Sequence, residues 1–391
     1  MNSPSRIDVA DVLRGFSVMG IFLIHCIEHF NFYSFPEVEN PWLKFFDKAI
    51  WDSVFFTFSG KGYAIFALLF GFSFFIQDNG RKLKGEDFRP RFAWRLVLLF
   101  LWGNINAMFF TGEILVLYSL VGFSLIFVAR LSNKTVFIIL TILMLQPVEW
   151  YKMIYALVNP DFVPGKSLTY YYFGEAYAVQ QNGNFIETLK MNLWDGQMAS
   201  LAYAWEYGRI FQTAALFMMG MLIGRTGLLL QNDSNLKFWK KTLLISVICF
   251  FPLNGLANML PDFINNKAVL TPLQTVVRSL ANLSFMLFMM GTLINVYYLT
   301  RFHKLLGKLA PYGMMSLTCY ITQSMVGSFL FYNWGLGLHD KLSITVSFLL
   351  GIVLFLLQFS FARWWMKSHR HGPLEYLWRK ATWIGAKRSS I

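Results

Sequence analysis

Long apolar stretches recur along the chain, separated by short polar segments. A bilayer core of roughly 30 Å asks for about 20 mainly apolar residues per helix. Ten segments meet that pattern: 13–32, 50–76, 93–110, 113–130, 135–150, 209–225, 239–259, 273–299, 312–333 and 343–365. They predict an all-α, polytopic transmembrane bundle in which residues 1–391 form a single integral membrane domain. One sizeable polar piece interrupts it, a loop over 151–208 rich in Tyr, Trp and Asn. After the last span, HGPLEYLWRKATW (His371–Trp383) opens on Gly-Pro and then spaces Leu374, Leu377, Trp378 and Ala381 on one helical face. With Arg379 and Lys380 beside them, the tail 372–391 reads as a helix lying on the inner membrane surface.

Composition supports that class. The 391 residues are 56% apolar and only 14% charged, against about 25% charged in an ordinary soluble protein. This excludes a water-soluble domain, and equally disorder, which needs low hydrophobicity. The formal charge of +13 would suit nucleic-acid binding, but the distribution of the cations argues for a bilayer and no nucleic acid. With the N-terminus in the cytoplasm, Lys and Arg crowd the inner loops and the C-terminal tail. The outer segments then hold only lysines (Lys44, Lys48, Lys152, Lys166, Lys190, Lys267, Lys341). That asymmetry predicts N-in, C-in. The outward aromatic loop suits a sugar or another polar lipid-linked acceptor, or else forms an interfacial aromatic belt. Cys26, Cys249 and Cys319 sit in apolar stretches without CxxC spacing, so buried free thiols are expected. No cleavage site follows the first apolar run, which reads as an anchor that stays. LFMMGMLI (Leu216–Ile223) recurs as LFMMGTLI (Leu287–Ile294), either a parallel internal repeat or coincidence between Leu/Met-rich helices.

Several stretches match one family: RIDVADVLRGFSVMGIFLIH (Arg6–His25), FSGKGYAIFALLFGFSF (Phe58–Phe74), Arg89–Gly122, YGMMSLTCYITQS (Tyr312–Ser324) and GPLEYLWR (Gly372–Arg379). The chain resembles the YeiB-like family of bacterial inner-membrane proteins, domain of unknown function family 418. That family is grouped with a wider transmembrane acyltransferase superfamily. The resemblance implies transfer of an acyl group from a cytoplasmic acyl-CoA, used as co-substrate with no bound cofactor, to an extracytoplasmic sugar. His25 follows the Arg14-Gly15 pair at the place of the superfamily's catalytic histidine, where many YeiB-like chains carry Asn.

Each ionisable group within a span is a functional candidate, because it is costly there unless paired or wetted. His25 titrates in the range a general base needs, or is a hydrogen-bonded bundle histidine. Glu113 either orients the imidazole or is a helix N-terminal acid favoured by the dipole. Asp11 and Arg14 can pair at i,i+3, and Asp11 is expected to line the cavity. Arg14, Arg89, Arg91 and Arg95 would cradle the donor's phosphates, or serve as inner-side anchors. Lys61, between two glycines, suggests a broken span lining a cavity, or else snorkels outward. Asn106, Gln323 and Arg278 are further candidate lining; interhelical hydrogen bonds would explain the first two, and pairing with Glu206 or Asp195 would explain Arg209 and Arg278. His25-Cys26-Ile27-Glu28-His29 also reads as an inverted zinc-peptidase motif, without the flanking ligands that chemistry requires. The rival to an acyltransferase is a transporter or flippase without covalent chemistry, motivated by Lys61, Arg278 and the repeat; a non-enzymatic membrane-organising protein is a third class.

Overall fold

A computed structural model describes residues 7–385, so the last six positions of the predicted tail lie outside the described residues. Among the described residues there is no strand. The chain opens with α1 (Asp8–Ile27), α2 (Pro41–Phe58) and α3 (Gly62–Lys82), the last two joined through a break at 59–61. Next come α4 (Arg89–Ala107), α5 (Leu115–Val128), α6 (Asn133–Met144) and α7 (Pro147–Val158). The polar piece is itself helical: α8 (Leu168–Asn182), α9 (Phe185–Met191), a π-helical turn (Asn192–Gly196) and α10 (Gln197–Glu206). The long helices α11 (Arg209–Thr226), α12 (Asp233–Phe263) and α13 (Lys267–Leu299) follow. Then come α14 (His303–Leu306), α15 (Ala310–Met314), α16 (Ser316–Phe331), α17 (Ile344–Trp365) and α18 (Pro373–Thr382).

All ten apolar segments are helical over most of their length, but fewer helices qualify as spans by length and composition. Five do: α1, the α2–α3 pair over 42 residues, α12, α13 and α17; the α6–α7 pair, bent by 42°, makes a sixth if counted as one. The shortfall from ten has a plain cause in several places. Helices α5 and α16 have 14 and 16 residues, fewer than the roughly 20 a bilayer core requires.

Helix α1 is the axis of the molecule. Its apolar window is 78% buried, whereas those of α12 and α17 are 22% and 17% buried, so the latter two present apolar surface outward. Small residues let helices approach. A Cβ at Gly220 of α11 would overlap the Leu68 carbonyl oxygen of α3, and one at Gly71 of α3 would overlap the Phe217 carbonyl. Gly291, at the equivalent place in the second LFMMG string, lies against Trp239 and Leu243 of α12. Both copies therefore put a glycine at a helix crossing, which gives a packing reason for the similarity. Cys26 and Cys319 are buried free thiols as expected, but Cys249 is exposed; it lies on α12, whose apolar surface faces outward.

Gly220→Val inserts a branched side chain where backbone already touches backbone, and overpacking of this kind costs about 1–3 kcal/mol. The expected result is a lower melting temperature in detergent. Gly80→Ala, with no heavy atom near the added carbon, should leave it unchanged or slightly raised. Equal melting temperatures for the two variants would contradict the α3–α11 contact.

Candidate functional site: two cavities along one helix

Arg14 and His25 are eleven residues apart, about 16 Å along the axis of α1 and close to the same face. Each lines its own cavity of about 520 Å³, within the usual range for small-molecule sites. One side chain, Tyr320 of α16, lines both cavities and is only 4% exposed. The first turn of α5 completes the partition, with Ile114 and Leu117 on the His25 side and Leu115 and Tyr118 on the other.

The His25 cavity is walled by α1, the α2–α3 break, the start of α5, and α8 and α10 of the polar piece. His25 packs against the Phe110 ring with centroids 4.6 Å apart. Its ring nitrogens have no hydrogen-bond partner among the described residues and are left to the cavity. Seven tyrosines share the wall: Tyr33, Tyr63, Tyr170, Tyr177, Tyr203, Tyr207 and Tyr320. Tyr33 donates to Glu28, and the Tyr177 hydroxyl lies 2.8 Å from His29 Nδ1. Such a surface pairs apolar ring faces with hydroxyls. Tyr63 and Tyr320 fall within the family-matching stretches Phe58–Phe74 and Tyr312–Ser324; nothing in the chain's pattern singles out the other five.

Glu113 lines the same cavity but does not orient His25. Its carboxylate accepts from Asn106 Nδ2 and from the Leu115 amide, so no hydrogen bond joins it to the imidazole. It behaves as the helix N-terminal acid of the alternative explanation. The zinc spacing fails for a backbone reason: α1 ends at Ile27 and Glu28 leaves helical geometry, so His25 and His29 share no helix face. No group of three or more His, Cys, Asp or Glu among the described residues can hold a metal. Arg209 does not pair with Glu206, whose oxygens cap α8 by accepting from Ser167, Leu168 and Thr169. The guanidinium instead lies over the Tyr63 ring at 4.4 Å, inside the cavity wall.

The Arg14 cavity is basic and aromatic. Arg14 donates to Asp11 at 2.7 Å and to Ser73 at 2.9 Å. Arg95 stacks over Trp378 at 4.2 Å. Two of the four proposed cradle arginines are elsewhere. Arg89 is tied to Asp87, holding that carboxyl down to about 2 through its side-chain hydrogen bonds. Arg91 donates to the carbonyls of Thr382 and Ile384, which fastens the tail. Arg81, Lys84 and Arg379 take their places in the cavity wall, brought there by the α3 end and by α18. Thus α18 is fastened into the helical bundle. Trp94 donates to the Ala381 carbonyl, and Glu375 accepts from the Leu317 and Thr318 amides, capping α16.

Five further residues expected to line a cavity belong to neither of the two. Asp11 is buried against Arg14, Asn106 is consumed by Glu113, and Gln323 donates to Tyr312 and Gln358. Lys61 and Arg278 line neither wall, although Ser59, Gly60 and Tyr63 beside Lys61 do line the His25 cavity. Arg278 is exposed because it sits on the outer flank of α13.

This is an all-helical protein with five or six helices long and apolar enough to cross a membrane, and with two cavities that share one wall. Residues 223–385 match the family described as "Protein of unknown function (DUF418)". The chain is 26% identical to the uncharacterized protein YxaH of Bacillus subtilis over 99% of its own length and 97% of that protein. It is 28% identical to the uncharacterized protein YeiB of Escherichia coli over 95% of each chain. Together the matches support assignment to the YeiB-like DUF418 family. No solved structure matches.

Glu375 offers a pH test of the α18 cap. Burial raises its carboxyl above the ordinary range, against hydrogen bonds from Thr318 and Leu317 that favour the charged form. A carboxyl raised by folding costs stability when it ionises. Stability should therefore fall as pH climbs from the free glutamate value, about 4.3, through the raised value. Glu375→Gln should flatten that decline in melting temperature, and parallel profiles would refute the assignment.

Proposed function

We propose that the protein is a transmembrane acyltransferase of the bacterial inner membrane. In this reading all ten apolar segments cross or enter the bilayer, with both termini cytoplasmic. An acyl-CoA donor enters the Arg14 cavity from the cytoplasm, and a sugar or other polar acceptor occupies the His25 cavity from outside. The observation that carries the reading is the shared wall: two ligand-sized cavities open at opposite ends of one buried helix and both end at Tyr320.

The chemistry follows from what each cavity holds. Arg14, Arg81, Arg95 and Arg379 suit the donor's phosphates, and Trp378 and Trp383 offer ring faces to its base. The thioester end then points at Tyr320. On the other side a free His25 nitrogen takes the proton of an acceptor hydroxyl or amine. The acceptor atom attacks the thioester carbonyl, its new bond to carbon forms, the C–S bond breaks, and the departing thiolate takes up the proton that His25 removed, which returns the imidazole to its neutral form. The tyrosines hold the acceptor, and the Tyr320 side chain moves aside to let the two reactants meet. The same wall also suits passage without chemistry, in which its opening would join the cavities into a transport path.

Radiolabelled acetyl-CoA and purified full-length protein separate these readings. Binding should be retained in His25→Ala while label transfer falls by roughly 10²–10⁴-fold, the usual contribution of a general base. Arg14→Gln and Arg95→Gln should instead weaken binding. Transfer that survives His25→Ala removes the mechanism, and absence of acyl-CoA binding removes the enzyme class. Substrate flux without label transfer would identify a transporter.

A further inference from the structure

Three cations cluster beside the His25 cavity, and none has a carboxylate partner among the described residues. Lys61 is 8% exposed, donates to the Phe56 carbonyl at 2.9 Å, and lies over the Phe56 and Phe285 rings. Arg209 has only neutral partners, Gln212 Oε1 and the Tyr203 hydroxyl, each at 3.4 Å. Arg278 is exposed. The charges of Arg209 and Arg278 act on Lys61, so like charges are held near one another amid apolar helices. An arrangement that concentrates cations in such surroundings is unfavourable until an anion joins it.

The backbone at the α2–α3 break supplies more donors. Gly60 adopts φ +72°, and a Cβ there would stand 2.6 Å from Asn282 Nδ2 and 3.2 Å from an Arg209 guanidinium nitrogen. Only glycine lets the break come this close to both groups. Of the first amides of α3, those of Ala64 and Ile65 donate to the Lys61 carbonyl, which leaves the Gly62 and Tyr63 amides to carry the positive end of its dipole at the break. Arg278, Asn282 and Phe285 share a face of α13 by their spacing. Asn282 has no side-chain hydrogen bond among the described residues. The cluster is thus rich in donors and has no carboxylate.

We propose that the break at Ser59–Gly62, with Lys61, Arg209, Arg278 and Asn282, binds the phosphate of a lipid-linked ligand, which under the acyltransferase reading is the acceptor. Phosphate oxygens match two guanidinium forks, an ammonium and backbone amides together. The lipid source follows from position. Phe56, beside Lys61, is 48% exposed, and α12 next to α13 turns most of its apolar surface outward, so an acyl or prenyl tail has an apolar flank on which to lie. Ser59, Gly60, Tyr63 and Arg209 also line the His25 cavity. A head group extending from the phosphate therefore enters among the tyrosines.

The test is direct binding, independent of acyl transfer. Full-length protein in neutral detergent is titrated with dioleoyl phosphatidic acid, with dioleoylglycerol, and with inorganic pyrophosphate, and complexes are read by native mass spectrometry. Phosphatidic acid should bind, and dioleoylglycerol should bind at least tenfold more weakly. Arg209→Gln and Arg278→Gln should each reduce phosphatidic acid binding about tenfold. Arg278 is exposed, so its loss of binding is not a folding defect, and Arg278→Lys should recover most of the affinity. Equal binding of the two lipids, or unchanged binding in both variants, overturns the proposal. Pyrophosphate binding as tightly as the phospholipid overturns its lipid part. Phosphate-dependent lipid binding without label transfer would leave this site standing while removing the acyltransferase reading.

Discussion

The rotational setting of α1 governs everything else in the molecule. Arg14 and His25 share a face, so turning the helix by one residue, about 100°, would withdraw both from their cavities together. Close backbone contact with the α15 region fixes that setting. A Cβ at Gly15 would stand 2.5 Å from the Leu309 carbonyl oxygen, and one at Gly313 would overlap the Asp11 carbonyl. Two glycines meeting across a helix crossing tolerate little rotation, because any larger side chain would face backbone rather than open space. The cavities exist where they do because this contact aims the face of α1 that carries both residues.

Acidic residues have a second, quieter function: they hold the starts of helices. Glu113 accepts from Leu115 at α5, Glu206 from Leu168 at α8, Glu375 from Leu317 at α16, and Asp47 from Thr345 at α17. Each satisfies amides that a helix leaves without partners. Carboxylates spent on helix ends are unavailable to neutralise cations. That is why Arg95, Arg209 and Lys61 can remain without carboxylate partners inside a largely apolar bundle, stabilised instead by ring faces.

Hydropathy made the helices legible, because oil-facing length is a local property of the chain. The pairing of Asp11 with Arg14 was legible for the same reason, being one helical turn long. The place of His25 in a cavity was readable from its motif. Partners of charged groups were not. Glu113 lies near His25 in the predicted topology, but it is taken by a residue seven positions earlier. Arg91 and Arg95 meet a tail almost 300 positions away, which no periodicity can announce. The tyrosine lining was hidden too, since α8 and α10 read only as an aromatic loop until their folding over the cavity defines which faces point inward.

The C-terminal helix ties the two cavities into one mechanical unit. Glu375 grips the amides of Leu317 and Thr318, and Tyr320 follows within the same turn of α16. Three residues beyond Glu375, Trp378 stacks on Arg95 in the wall of the Arg14 cavity. Whatever fills that cavity and displaces Trp378 must therefore bear on α18, on the cap it supplies, and on the turn that carries Tyr320. Buried, well-packed contacts transmit such displacements because interiors have little free volume to absorb them. A short run of named contacts thus joins the arginine end to the side chain that separates it from His25.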